Sequence, residues 1–180
     1  VVVSQLIRSP GVYFGLEEEG GRRLASAKLI PDRGAWMEFE TRKSGYLTLR
    51  FNRKRTIPVT IFLRALAAVD DPLHSDVLVK GDDEELIELF SEADNDPDHP
   101  WITDTIRQEP AWDLRAGRTL AEETLVEFYR RMRPGDPPTL ENAQEYMVSQ
   151  LFDPQRYNLQ EVGRYKLNQR MQISVPMSVR

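Results

Sequence analysis

Arg50, Arg53, Lys54 and Arg55 fall within six positions of one stretch, YLTLRFNRKRTIP (46–58), in a chain whose formal net charge is −5. Cations at this density suit phosphate: each Lys or Arg that neutralises a nucleic-acid phosphate displaces condensed counterions and adds salt-dependent affinity. The competing reading is a solvated strand edge, because charged side chains blunt an exposed strand against unwanted pairing. Trp36 favours the first. Polarity alternates in WMEFE (36–40) and YLTLRFN (46–52), so Met37 and Phe39 share a face with Leu47, Leu49 and Phe51. The other face carries Trp36, Glu38, Glu40, Tyr46, Thr48, Arg50 and Asn52. An indole on a polar face beside cations has the two properties needed to bind unstacked nucleic-acid bases. Trp101 and Trp112 have no such setting and read as packing residues.

Other chemistries lack their parts. DNDPD resembles a calcium loop beginning at Asp94, but its sixth position is His99 where a calcium loop turns on Gly, and its twelfth is Thr105 where Glu is required. His74, Ser75 and Asp76 are adjacent in sequence, whereas a catalytic triad converges from separate elements. His74 and His99 alone make no metal site, and the chain has no cysteine for thiolate ligands or disulfides. No glycine pattern for nucleotide phosphates is present. The expectation is no catalytic residue, no metal and no cofactor in this chain.

The 180 residues suffice for one compact domain, and a composition 40 % hydrophobic and 29 % charged is that of a globular protein. No apolar run reaches membrane-spanning length. The start, VVVSQLIRSPGVYF, has neither the basic region nor the cleavage site of a secretory signal, and the absence of an initiator Met suggests a piece of something longer. Lack of cysteine fits a reducing, cytoplasmic setting. The net charge hides a segregation. Residues 82–98 carry nine acidic side chains and no basic one, residues 1–60 hold eleven Lys/Arg against six Asp/Glu, and residues 154–180 hold five against one. Both ends are basic and the middle is acidic.

These residues need elements to hold them. The first 58 residues read as strands and turns, with TRKSG as turn chemistry between the two alternating runs. Symmetric closure on that five-residue gap sets Glu40 opposite Tyr46 and Trp36 opposite Arg50. From residue 59 the period becomes helical. TIFLRALAAV places Leu63, Leu66 and Ala67 at helical spacing, an acidic helix covers 82–91, and WITDTIRQEP adds a short one. Thr119 and Glu122 form a capping box ahead of Leu125, Phe128, Tyr129 and Met132, with Pro134-Gly135 as the stop. Another helix starts at Thr139 and carries Leu140, Ala143, Met147 and Leu151; a third follows Asn158, with Glu161 closing a second capping box. The order is α+β: a β-rich amino-terminal hairpin region (1–58) packed with a mainly helical part (59–180) that includes a variable acidic segment, 70–98.

Five segments taken in order, VVVSQLIRSPGVYF, LIPDRGAWMEFE, LRFNRKRTIPVTIFLRAL, EFYRRMRPGDPPT and LFDPQRYNLQEVGRYKLN, resemble the lobe of the β subunit of bacterial DNA-directed RNA polymerase; HPWITDTIRQEP is similar to a helix of the same family. Residues 70–98 match it poorly, and the tail MQISVPMSVR fits less well. The resemblance implies a module that is inactive alone within a nucleotidyltransferase whose metal-binding aspartates belong to the β′ subunit. It implies a wall of the main cleft that guides downstream duplex and the non-template strand, with Trp36 stacking on an unpaired base, Arg8 by the neighbouring base pocket, and Arg53, Lys54 and Arg55 towards DNA. Val3 and Gln5 correspond to the fringe of the rifamycin site. Implied partners are DNA, β′, the other polymerase subunits and σ factor; the acidic helix and the RMRPGDPP turn offer an alternative role as landing surface for σ or regulators. The isolated piece is expected to be soluble and monomeric.

Overall fold

A computed structural model of the chain describes residues 8–69 and 78–179. Val3, Gln5 and the His74-Ser75-Asp76 run lie outside the described residues. Among the described residues, five antiparallel strands in the order β1-β2-β3-β4-β5 precede six helices, an α+β arrangement. The strands are β1 (Gly11–Glu19), β2 (Arg22–Ile30), β3 (Met37–Thr41), β4 (Leu47–Phe51) and β5 (Thr56–Pro58).

The β3–β4 hairpin keeps the expected parity but not the expected register. Glu38 pairs with Arg50 and Glu40 with Thr48, and the Asn52 amide donates to the Trp36 carbonyl at 2.8 Å. Trp36 therefore lies opposite Asn52, not Arg50. The cause is the turn: the Arg42 amide bonds the Tyr46 carbonyl at 2.8 Å, and Gly45 at φ +88° lets three residues close the loop in place of five. A slip of two residues preserves which face each side chain takes. Met37 is buried and Phe39 packs against the core. The opposite face is less polar in setting than its sequence suggests, since Glu38 and Thr48 are buried as well.

The six helices among the described residues are α1 (Val59–Ala67), α2 (Asp83–Phe90), α3 (Trp101–Ile106), α4 (Leu120–Met132), α5 (Leu140–Leu151) and α6 (Gln160–Met171). Helix α1 is buried around most of its circumference. Ile61, Phe62 and Ala65 face the main core, whereas Leu63 and Ala67 pack on a second small cluster with Leu78, Leu86 and Ile102. The main core joins Leu49, Phe51 and Ile57 of the sheet to Leu125, Phe128 and Met132 of α4 and Ala143 and Met147 of α5. At α4 the capping box forms in full, Thr119 and Glu122 bonding reciprocally. The one expected at α6 does not: Leu159 is the cap residue and makes no side-chain bond, and the Asn158 side chain accepts from the Gln160 amide, two positions on. Asp94, which opens the calcium-like spacing, turns both oxygens to the Trp101 and Ile102 amides at 3.0 and 2.8 Å and so satisfies the first turn of α3.

Candidate nucleic-acid interface

The ladder registers bring distant cationic segments to one end of the sheet. Gly11 pairs with Ile30, Leu29 with Met37, Met37 with Phe51 and Arg50 with Thr56. The start of β1, the loop from β2 to β3, and the turn from β4 to β5 thus share that end. They carry Arg8, Arg33 and Trp36, and Arg53, Lys54 and Arg55, respectively. The acidic α2 and α3 pack at the other end of β4, where the Thr105 hydroxyl accepts from the Leu47 amide at 2.9 Å and Leu47 meets Leu86 and Ile102. The acidic α2 and the cationic turn at 53–55 thus lie at opposite ends of β4, although Arg42 and Lys43 of the β3–β4 turn share the acidic end.

Each of the expected site residues has a distinct setting. Lys54 amide to Phe51 carbonyl, 3.0 Å, closes a turn whose central residues Asn52 and Arg53 have φ of +49° and +57°. Asn tolerates the left-handed region; Arg does so at a cost on the order of 1 kcal/mol. That conformation aims Arg53 at Trp36, with Cζ 4.3 Å from the centre of the indole. Lys54 turns the other way, its Nζ donating to the Met132 carbonyl at 2.8 Å, where it caps α4 and meets the negative end of the helix dipole. Arg50 is half-buried and lies 3.8 Å from the Glu38 carboxylate. Arg8 and Arg55 are exposed and have no hydrogen-bond or ion-pair partner among the described residues. Trp36 is half-buried, not freely exposed.

Four further cations border this end of the sheet and were not singled out by sequence. Arg33 is exposed and its Nη1 reaches the Gln155 carbonyl at 3.4 Å. Arg156 stands 3.7 Å from Asp153. Lys166 donates to the Ser9 hydroxyl at 2.6 Å, and Arg170 lines the same groove between α6 and the start of β1. The basic excess over residues 154–180 was the available signal; the fold was needed to show where it goes. The loop before Trp36 is clamped to this C-terminal region by a two-way backbone bridge between Arg33 and Asn158 at 3.1 and 2.9 Å. Gly34 permits it. At φ +120°, a Cβ there would sit 2.7 Å from the Arg156 carbonyl oxygen. Among the described residues no three metal-ligating side chains converge, and no helix is long and apolar enough to cross a membrane.

Tyr157, against Gly34, is buried, and that burial pushes its hydroxyl up to about 12. The unfolded chain sheds this proton near pH 10 and the folded one keeps it, so stability is intact below pH 10 and falls as pH rises from there towards 12, by about 1.4 kcal/mol per unit of separation. Burial raises Tyr129 and Tyr146 in the same direction. Tyr157→Phe is therefore expected to lessen, not abolish, the alkaline loss. Urea melts of both proteins across pH 9–12 check it; an unchanged slope would remove Tyr157 from the account.

The sequence matches the family described as RNA polymerase Rpb2, domain 2, over residues 8–180. The chain belongs to that family. It is 49 % identical over 185 residues to the DNA-directed RNA polymerase subunit beta of Chloroflexus aggregans, covering 95 % of this chain and 14 % of the relative. The corresponding subunit of Dehalococcoides mccartyi is 40 % identical over 177 residues, covering 96 % of this chain and 12 % of the relative. That of Thermosynechococcus vestitus is 38 % identical over 182 residues, covering all of this chain and 14 % of the relative. The chain thus spans about one-seventh to one-eighth of these curated relatives. It is a lobe segment of a bacterial β subunit, and the family match runs through the tail MQISVPMSVR, which by sequence fitted less well.

Proposed function

We propose that this lobe lines one wall of the main cleft of a DNA-directed RNA polymerase and contacts downstream duplex and the non-template strand. It contributes no catalytic residue or cofactor ligand of its own. Nucleotidyl transfer belongs to the assembled enzyme, with β′ and the other subunits as its partners. The carrying observation is the meeting, at one end of the sheet, of the Trp36 indole with cations from separate segments: Arg8, Arg33, Arg53 and Arg55. An aromatic face with a surrounding cationic rim suits an unpaired strand, whose bases stack and whose phosphates attract. Arg50, on the face of Trp36 and near Glu38, and Lys54, held on the Met132 carbonyl, buttress this site.

A second reading has its own observation. Ile87 and Leu89 are exposed on α2 among Glu84, Glu88 and Glu92, a surface that suits a basic protein partner such as σ factor or a regulator. Replacing Glu84, Glu88 and Glu92 with Gln separates the two: DNA contact should be largely unaffected, whereas docking of a basic partner should weaken.

The test is Trp36→Ala in polymerase assembled with the β subunit that carries this lobe. A base held on the indole contributes about 1–3 kcal/mol, so the open-complex lifetime is expected to shorten accordingly, with Trp36→Phe retaining part of it. Unfolding of the lobe without any change of lifetime in the folded fraction would make Trp36 a core residue and overturn the reading.

A further inference from the structure

We infer that Arg53 is the resident occupant of the Trp36 platform: its guanidinium covers the indole while no nucleic acid is bound, and yields that face to a base when a phosphate draws it away. This rests on the reading of Trp36 as a base platform and adds what controls access to it.

The guanidinium carbon lies 4.3 Å from the ring centre, within cation–π range. Arg53 is exposed whereas Trp36 is half-buried, so the guanidinium covers the indole from the solvent side, the side from which a base must arrive. Its aim is set by the backbone. Residues 52 and 53 are both left-handed, the turn is closed by the Lys54-to-Phe51 bond, and the Asn52 amide fastens it to the Trp36 carbonyl. Arg50 has Glu38 and Arg64 has Glu109, but Arg53 has no carboxylate partner among the described residues. Among the described residues, the π contact alone holds it. A base and a guanidinium cannot share one face, and a phosphate offers Arg53 a charge-assisted hydrogen bond stronger than its contact with the ring. Stacking and phosphate neutralisation are thereby coupled. At low salt Arg53 moves to phosphate and the platform opens. At high salt the phosphate is screened, Arg53 returns to the ring and competes with the base.

The coupling has a signature that a simple phosphate contact lacks: the effect of removing Arg53 changes sign with salt. In assembled polymerase, Arg53→Ala is expected to shorten the open-complex lifetime at low salt. The dependence of log lifetime on log salt should become shallower by about 0.7–0.9, the value of one lost phosphate contact. At high salt the same variant should outlast the parent by about two- to fivefold, the worth of an exposed cation–π contact. The two lines cross. In a Trp36→Ala background they should not, because there is no ring left to contest. Arg53→Lys, a cation with a weaker hold on the ring, should lie between. If Arg53→Ala falls below the parent at every salt concentration while Trp36→Ala still shortens the lifetime, Arg53 is an ordinary phosphate contact and the coupling is overturned with the platform intact. Parallel lines overturn it too. If Trp36→Ala leaves the lifetime unchanged, the platform reading fails and this one with it.

Discussion

Arg64→Ala is expected to destabilise the 180-residue chain by about 3–5 kcal/mol, the cost of leaving one member of a buried ion pair without its partner. Arg64 is 1 % exposed and its main partner, Glu109, 3 %. Its Nε donates to both Glu109 oxygens at 3.0 and 3.1 Å, Nη1 to the Gly81 carbonyl at 2.6 Å and Nη2 to Asp83. Glu109 also accepts from the Trp112 indole at 2.8 Å. Removing the guanidinium orphans a buried carboxylate and a buried carbonyl at once. The Asp83 arm contributes little, because that carboxylate is 59 % exposed and water replaces the lost bond. Glu109→Gln should cost less than Arg64→Ala, since an amide oxygen can still accept from Arg64 or Trp112. Urea melts give both values; a loss below about 1 kcal/mol for Arg64→Ala would show that the pair is solvated in the folded chain.

Arg64 also marks where sequence reading stopped. A lone cation inside TIFLRALAAV conflicts with the apolar run around it, and that conflict was the one local sign of a buried role. Its partners lie 17, 19 and 45 residues away, beyond any periodicity. Local features were legible for the opposite reason. The capping box at Thr119 needs only residues three apart, and the apolar positions of α4 repeat at the helical period. The strand parity that set Trp36 apart from Met37 is likewise a period-2 property and survived a register slip of two. The register itself did not, because it depends on the φ of Gly45, which residue types alone leave open.

The candidate site shows the same division. That cations cluster at 50–55 is written in the sequence, but their individual tasks are not. Lys54 finds a carbonyl 78 residues away, Arg53 is turned onto Trp36 by two left-handed residues, and Arg50 meets Glu38 only in the observed register. Four neighbouring residues of one charge thus divide into a helix cap, a ring cover, a buttress and one exposed cation.

Phe128→Ala should cost about 3–5 kcal/mol, through lost burial and through a cavity that its neighbours cannot collapse to fill. Phe128 is fully buried at the middle of an aromatic cluster. It stands edge-on to Phe51 at 5.5 Å, 5.8 Å from Phe62 and 6.5 Å from Tyr146. Those rings come from β4, α1 and α5, so one side chain of α4 ties the sheet to two other helices. The neighbours are pinned: Phe51 by its ladder pairing with Met37, and Phe62 on a helix buried on most sides. Leu125→Ala, one turn earlier and equally buried, should cost about 2–5 kcal/mol for the same reason with fewer ring contacts. Denaturant melts measure both, and a Phe128→Ala loss below about 0.5 kcal/mol would refute the packing described. The effect should also reach the cationic turn. Phe51 immediately precedes Asn52 and Arg53, and its carbonyl accepts the bond that closes their turn. Loosening Phe51 therefore frees the segment that aims Arg53, whereas Trp36→Ala removes the platform and leaves the core standing. Amide exchange at Lys54 separates the two: faster in Phe128→Ala, where the bond to Phe51 opens more often, and close to the parent in Trp36→Ala.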